Sequence, residues 1–385
     1  MQTLALLALG ACALALGLAA GACAAASPRR SFAAVAMLIG LGAGVPAAAQ
    51  NAPGVPGASV APVASGAPPV EGVAPGFTGA TGWLNTPPLS LPGLRGKVVV
   101  VSFWTYSCIN CLRTLPHVRA WARRYAGQGL VVVGVHTPEF AFEKDPANVT
   151  RAIKDLKLSY PIALDDGYQV WRAWRNRFWP AIYIVDAQGR VRHHQFGEDG
   201  AAQTEQVIQA LLREAKAPMP AGTVATDLGG IGMPADLDNL RSPESYLGYA
   251  QASAMASPEA LARDQPRRYS VGRLGMNEWA LSGVWTVGPE FAQARDADGA
   301  IALKFHARDA HLVMAGPPDG ARFVLTLDGQ PPGDEHGLDV DAQGNGRVDA
   351  SRLYQLVRQR GTVRDRRIEI RFLDPGVRAY AFTFG

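Results

Sequence analysis

The chain reads as an α/β domain followed by an all-β sandwich, and three observations predict this. Between residues 97 and 216, short β-branched runs alternate with segments of helical spacing and end in a hairpin and a helix. From about residue 236 the pattern changes to short strands divided by Gly, Pro and Asp turns. A single C-x-x-C, Cys108-Ile109-Asn110-Cys111, stands where the first strong strand gives way to the first long helix.

The ends of the chain bound the argument. Its 385 residues exceed one average domain. The net charge of +4 comes from 37 basic and 33 acidic residues scattered without a basic stripe, which argues against nucleic acid as a partner. Residues 1–49 read as an export leader. Arg29 and Arg30 form a positive region, 32–45 an apolar one, and Ala47 and Ala49 the small residues of a cleavage site. Arg29-Arg30-Ser31-Phe32 resembles a twin-arginine signal, and the uncharged stretch 4–26 leaves open a retained membrane anchor. Residues 50–76 are Pro, Ala, Gly and Val with almost no charge and read as a linker.

Each element of the first domain has its own signal. Residues 97–103 are an apolar strand, and Leu112, Leu115, Val118, Ala122 and Tyr125 mark one helix face after it. A Val-rich strand at 130–136, a helix at 146–158 and another at 168–174 follow. The domain closes with a strand at 181–186, a Gln188-Gly189 turn, a strand at 191–196 and a helix at 203–216. This order suits a thioredoxin-like sheet at 77–220 better than a doubly wound one. The all-β region at 236–385 is expected to be jelly-roll-like, with strands at 300–306, 310–314, 322–327, 367–373 and 379–384.

The dithiol carries the chemistry. A helix N-terminus presents unpaired N–H groups and a positive dipole end, so Cys108 is expected to be the attacking thiolate. Cys111, one turn along, is expected to resolve the mixed disulfide. Cys12 and Cys23 lie in the leader, and neither a second C-x-x-C nor a ligand-like His spacing supports zinc; no cofactor is expected beyond the redox-active pair. In thioredoxin-like folds a cis-proline stands beside the dithiol, and Pro180 after Trp179 is expected to be it. Trp104, Tyr106, Phe178 and Trp179 are expected to surround the sulfurs as a substrate-docking rim, whereas Trp121, Trp171 and Trp174 read as core.

The stretch Phe103-Trp-Thr-Tyr-Ser-Cys-Ile-Asn-Cys-Leu-Arg-Thr-Leu-Pro-His117, with His136-Thr-Pro-Glu-Phe140, resembles the extracytoplasmic part of DipZ-type proteins, relatives of the TlpA thioredoxins. Arg241-Ser-Pro-Glu-Ser-Tyr-Leu-Gly248, Asn277-Glu-Trp-Ala-Leu-Ser-Gly283 and Phe372-Leu-Asp-Pro-Gly376 resemble that family's C-terminal, carbohydrate-binding-module-like domain. The resemblance implies an exported, periplasmic thiol-disulfide oxidoreductase acting on protein disulfides, in cytochrome c maturation or redox homeostasis. It also implies a CcdA-type membrane electron donor, here expected as a separate chain. Ordinary thioredoxins carry an acid where this chain has Ser102, so another proton acceptor is needed; Glu139 is the candidate, with His136 second.

Alternatives remain at this stage. Thr105 three residues before Cys108 matches half of a peroxiredoxin motif, but Val101 stands where that motif needs Pro. The sandwich is open to a glycan or protein ligand; Trp279 and Trp285 read as core before sugar platform. The run from Asp339 begins like a calcium loop but has Ala350 where a bidentate Glu is required. His306, His311 and His336 read as surface or turn histidines.

Overall fold

A computed structural model describes residues 68–385. The leader, its two cysteines and most of the proposed linker lie outside the described residues. Among the described residues no helix is long and apolar enough to cross a membrane.

The first domain is built on seven strands, β1 (Gly72–Val73), β2 (Gly82–Leu84), β3 (Val98–Trp104), β4 (Leu130–His136), β5 (Ile162–Leu164), β6 (Ala181–Val185) and β7 (Arg190–Phe196). Their order across the sheet is β1-β7-β6-β3-β4-β5-β2. β3, β4 and β5 run parallel, whereas β6 and β7 form an antiparallel hairpin beside β3. The central place of β3 explains its composition. Every residue of Val98–Trp104 is buried, as a strand covered on both faces requires. Four helices cover the sheet: α1 (Ile109–Arg124), α2 (Pro146–Asp155), α3 (Gln169–Ala173) and α4 (Ala201–Glu214). Asp145 caps α2 by accepting the Ala147 N–H at 2.9 Å, with Pro146 at the first helical position. Trp121, Trp171 and Trp174 are core, as expected.

Two boundaries differ from expectation. The linker does not run to residue 76, because Gly72 and Val73 pair with Val191 and Arg190 and lengthen the sheet at its edge. The sequence hid this in a Gly-Val pair too short for any periodicity. β5 was equally invisible, since Pro161 and a three-residue strand leave no alternation to read.

The strand pairs of the second domain are all antiparallel. Its strands are β8 (Ser245–Tyr246), β9 (Pro266–Tyr269), β10 (Trp279–Val287), β11 (Ala292–Ala294), β12 (Ala300–Phe305), β13 (Asp309–Ala315), β14 (Ala321–Leu327), β15 (Asn345–Val348), β16 (Arg352–Arg358), β17 (Arg366–Phe372) and β18 (Arg378–Phe384). β10 is the corner on which the sheet curls. Trp279–Ser282 pair with β12, whereas Gly283–Thr286 pair with β9 along one edge and Trp285–Val287 with β11 along the other. Gly283 at the bend has φ +92°, and a Cβ there would lie 3.0 Å from the Gly299 Cα. Only glycine accepts both conditions.

Trp279 and Trp285 are fully buried, so neither is a sugar platform. His306 hydrogen-bonds Asp365 at 2.7 Å and His336 sits in an exposed turn. His311 corrects the expectation of a surface residue: it is fully buried in β13. Burial, and then Arg113, Arg358 and Arg308, hold it neutral, well below the ordinary histidine range.

The corner yields a prediction. Gly283→Ala should lower the stability of the full chain by about 1–3 kcal/mol, since a left-handed, crowded position is forced on an L-residue. Urea unfolding followed by tryptophan fluorescence measures this, and an unchanged midpoint would show that the bend tolerates a side chain.

Candidate functional site

The dithiol is placed by strand and helix together. β3 ends at Trp104, residues 105–107 turn, and Cys108 is the N-cap of α1 in an extended conformation. The Cys111 N–H donates to Cys108 Sγ at 3.3 Å, one of the otherwise unpaired donors of the first turn. Both sulfurs are free thiols here, and both are buried.

Burial changes the electrostatics expected from sequence. The helix N-terminus favours a thiolate, but burial first, then the Cys111 thiol and the charge of Glu139, push the Cys108 thiol well above its ordinary value. The apolar cluster around Cys108 and Ile109 continues into the second domain through Val313, Ala315, Leu353, Tyr380 and Ala381. Desolvation outweighs the helix field because that field is worth about 0.3–2 kcal/mol, whereas full burial moves a pKa by up to about 3–5 units.

The turn before Cys108 hangs on a residue the sequence did not single out. Glu143 is fully buried, and its Oε1 accepts from Thr105 Oγ1 at 2.5 Å, Ser107 Oγ at 2.6 Å and the Ser107 N–H at 3.3 Å. Its Oε2 accepts the N–H groups of Glu139 at 2.5 Å and Phe140 at 3.0 Å. Burial raises its pKa, and these five donors oppose the rise. The carboxylate therefore ties the dithiol turn to the loop 137–143. That loop is also held by Trp179 Nε1 on the Thr137 carbonyl at 3.1 Å and by the Tyr168 hydroxyl on the Pro138 carbonyl.

Glu139 stands on this loop with its charge acting on Cys108. As a whole residue it is half-buried, while its carboxyl is desolvated. Burial, then Glu244 and Glu143, raises its pKa well above the usual carboxylate range. The Tyr246 hydroxyl, from the second domain, donates to its Oε1 at 2.5 Å and works in the opposite direction. His136, at the end of β4, is fully buried and stacked on Tyr106, with ring centroids 5.7 Å apart. Burial pushes its pKa down to about 3, so it is neutral at ordinary pH and too weak a base to take up the Cys111 proton.

The Trp179–Pro180 peptide is cis, at the start of β6 beside β3. The docking rim is not where the sequence placed it. Trp104, Tyr106 and Trp179 are 1%, 4% and 3% exposed. Trp104 meets His136 edge-on, Tyr106 stacks on that same ring, and Trp179 packs against Trp171 with ring centroids 4.4 Å apart. Phe178 is half-buried against Phe196, which is 39% exposed. A second missed residue is Arg113, two positions past Cys111. It is buried, pairs with Glu198 at 3.2 Å and bears on His311 across the domains. Among the described residues no group of three His, Cys, Asp or Glu is placed to hold a metal.

Comparison with known proteins agrees with this architecture. Residues 70–194 match the AhpC/TSA family, and residues 242–385 match the thioredoxin-like C-terminal domain family. The chain is 41% identical over 273 residues to Protein DipZ of Mycobacterium bovis, covering 68% of this chain and 38% of that relative's length. It is 30% identical over 140 residues to thiol-disulfide oxidoreductase YkuV of Bacillus subtilis, covering 36% of this chain and 94% of the relative. Thiol-disulfide oxidoreductase ResA of Halalkalibacterium halodurans is 29% identical over 125 residues, 32% of this chain and 65% of its own. A solved thioredoxin-like protein in its oxidised form shares 30% identity over 37% of this chain and 96% of its own, with a TM-score of 0.35. A thioredoxin-like sheet with a dithiol at the head of its first long helix, and the near-complete coverage of YkuV, place the chain among the thioredoxin-like thiol-disulfide oxidoreductases, with an appended antiparallel domain and similarity to DipZ across both domains.

Proposed function

We propose that the chain reduces disulfides of exported proteins through Cys108 and Cys111, with Glu139 as the proton acceptor of the pair. The observation that supports this most directly is the placement of Cys108 as the N-cap of α1 with the Cys111 N–H on its sulfur. In the forward direction the Cys108 thiolate attacks a substrate disulfide, forms a mixed disulfide and releases one substrate thiolate, which takes up a proton. Glu139 accepts the Cys111 proton, Cys111 attacks Cys108 Sγ, and the second substrate thiol leaves. The protein ends as the Cys108–Cys111 disulfide and the substrate as two thiols. Two electrons must then be restored, and a CcdA-type membrane protein is the proposed donor. The proposed setting is the periplasm or another extracytoplasmic compartment, where cytochrome c maturation or redox homeostasis needs such a reductant. The second domain is proposed to engage a protein or glycan, with the substrate-side neighbour of the dithiol at Pro180.

The AhpC/TSA match raises a second reading, a thiol peroxidase. Thr105 is the residue that reading needs, and its hydroxyl is committed to Glu143 at 2.5 Å. Rapid peroxide consumption by the reduced chain would favour the peroxidase over the reductase.

Three outcomes follow. Cys108→Ser should abolish insulin reduction by dithiothreitol, and Cys111→Ser should retain a trappable mixed disulfide; unchanged insulin reduction in Cys108→Ser would end the reductase reading. Labelling of reduced Cys108 by iodoacetamide should accelerate only in the alkaline range, because the thiol is held above its ordinary value. An inflection near neutral pH would show that the helix field prevails. Glu143→Gln places an amide N–H₂ among donors and should cost about 2–4 kcal/mol by denaturant unfolding, with insulin reduction lowered as the turn loosens. Wild-type stability in that variant would mean that the five donors find other acceptors.

A further inference from the structure

The motif Arg241-Ser-Pro-Glu-Ser-Tyr-Leu-Gly248 lies outside the redox domain, and neither the dithiol nor the sheet accounts for it. The structure brings it to the site. Ser245–Tyr246 form β8, which pairs with Ala381 and Phe382 of β18, and the Leu247 N–H donates to the Tyr380 carbonyl at 2.8 Å. Gly248 ends the motif where a Cβ would lie 2.2 Å from the Glu290 carbonyl carbon, so only glycine lets the strand pass. Glu290 in turn accepts the Ala141 N–H at 2.9 Å. The Tyr246 ring packs against Phe140, which also meets Tyr380 at 5.0 Å between centroids. Backbone pairing, ring packing and the Glu290 contact thus fix Tyr246 against the loop that carries Glu139.

We propose that Tyr246, supplied by the second domain, is the positioning residue for Glu139, so that the redox site is completed only where the two domains meet. This rests on the reading of Glu139 as proton acceptor. The Tyr246 hydroxyl lies 2.5 Å from Glu139 Oε1 and 3.2 Å from Glu244 Oε2, but a phenol has one proton to give. The shorter bond assigns that proton to Glu139. A carboxylate that accepts from a fixed donor keeps one oxygen occupied and presents the other, which gives the acceptor a direction as well as a charge.

The same bond sets the pH range in which Glu139 works. Glu244 and Glu290 of the second domain and Glu143 of its own loop face it and disfavour its ionised form, as does burial. Tyr168 and the Cys108 thiol also lie within range of its charge. Tyr246 is the donor that opposes all of these. Removing it raises the Glu139 pKa, so that less carboxylate is present at neutral pH and Cys111 is deprotonated more slowly.

The test is the pH profile of the reduced full chain acting on a chromogenic aryl disulfide, which releases one thiolate when Cys108 attacks and a second when Cys111 resolves. Tyr246→Phe keeps the ring and deletes the hydroxyl. The second phase should slow about tenfold at neutral pH and its midpoint should move up by about one pH unit, the loss expected for one hydrogen bond to a charged group. The first phase should change little. Glu139→Gln should slow the second phase and abolish its titration, and adding Tyr246→Phe to it should do nothing more. A second phase in Tyr246→Phe that superimposes on wild type overturns the proposal, and leaves the Glu139 reading standing if Glu139→Gln is impaired. A wild-type profile in Glu139→Gln overturns both. If Tyr246→Phe slows the Glu139→Gln variant as much as it slows the wild type, the tyrosine acts by packing and the proposal fails.

Discussion

One buried carboxylate holds the site together. Glu143 is acceptor to two hydroxyls and an N–H of the turn before Cys108, and to two N–H groups of the loop bearing Glu139. A buried charge is costly unless its acceptor positions are filled, and here hydrogen bonds fill them. The price of that burial is offset by fixing two separate loops against each other. β3 and β4 are neighbours with the parallel register Val98 to Leu130 through Trp104 to His136, so their C-terminal ends lie side by side. Glu143 converts that closeness into a set geometry between the Cys108 turn and the loop bearing Glu139.

The second domain bears on the same loop from the other side. Phe140 and Phe142 pack on Tyr380, Ala141 donates to Glu290, and Tyr246 donates to Glu139. Loop 137–143 is thus held by Glu143, Trp179 and Tyr168 from one domain and by these residues from the other. Contacts of this kind desolvate the site as well as shape it. The raised Cys108 and Glu139 values and the depressed His136 value share burial as their largest cause.

What was legible in the sequence follows from the physics of each signal. The strands at β3 and β4 and the hairpin of β6 and β7 were readable because buried parallel strands and a Gly turn leave strong local patterns. The C-x-x-C at a strand-to-helix junction gave Cys108 and Cys111 their places, and the peptide before Pro180 is cis as expected. Glu143 was not legible. Glu143-Lys-Asp145 looks like a solvated charge run, and nothing local reports that its carboxyl turns inward to a turn 36 residues earlier. Trp104, Tyr106 and Trp179 were misplaced because aromatics near a cysteine motif look the same whether they line a rim or fill a core; the second domain and the stacked His136 decide it. His311 was misplaced because a polar residue in a strand is normally assigned to the outer face, and here both faces of β13 are covered.

Burial at the dithiol also bears on the direction of electron flow. A dithiol becomes an oxidant when its reduced form is stabilised, chiefly as a thiolate with a depressed pKa. Cys108 is displaced the other way, since desolvation and the nearby Glu139 charge destabilise its thiolate. The helix N-terminus and the Cys111 N–H recover only part of that loss. Cys108 therefore lacks the thiolate stabilisation that marks an oxidising dithiol, which supports the proposed direction of the reaction. A thiol held in this way is slow to ionise while covered, and the proposed acceptor must compensate. A carboxylate raised above its usual range by burial, Glu244 and Glu143 but kept ionisable by a donor suits that task. The covering of one loop thus both desolvates the dithiol and makes a tuned proton acceptor necessary to the proposed reduction.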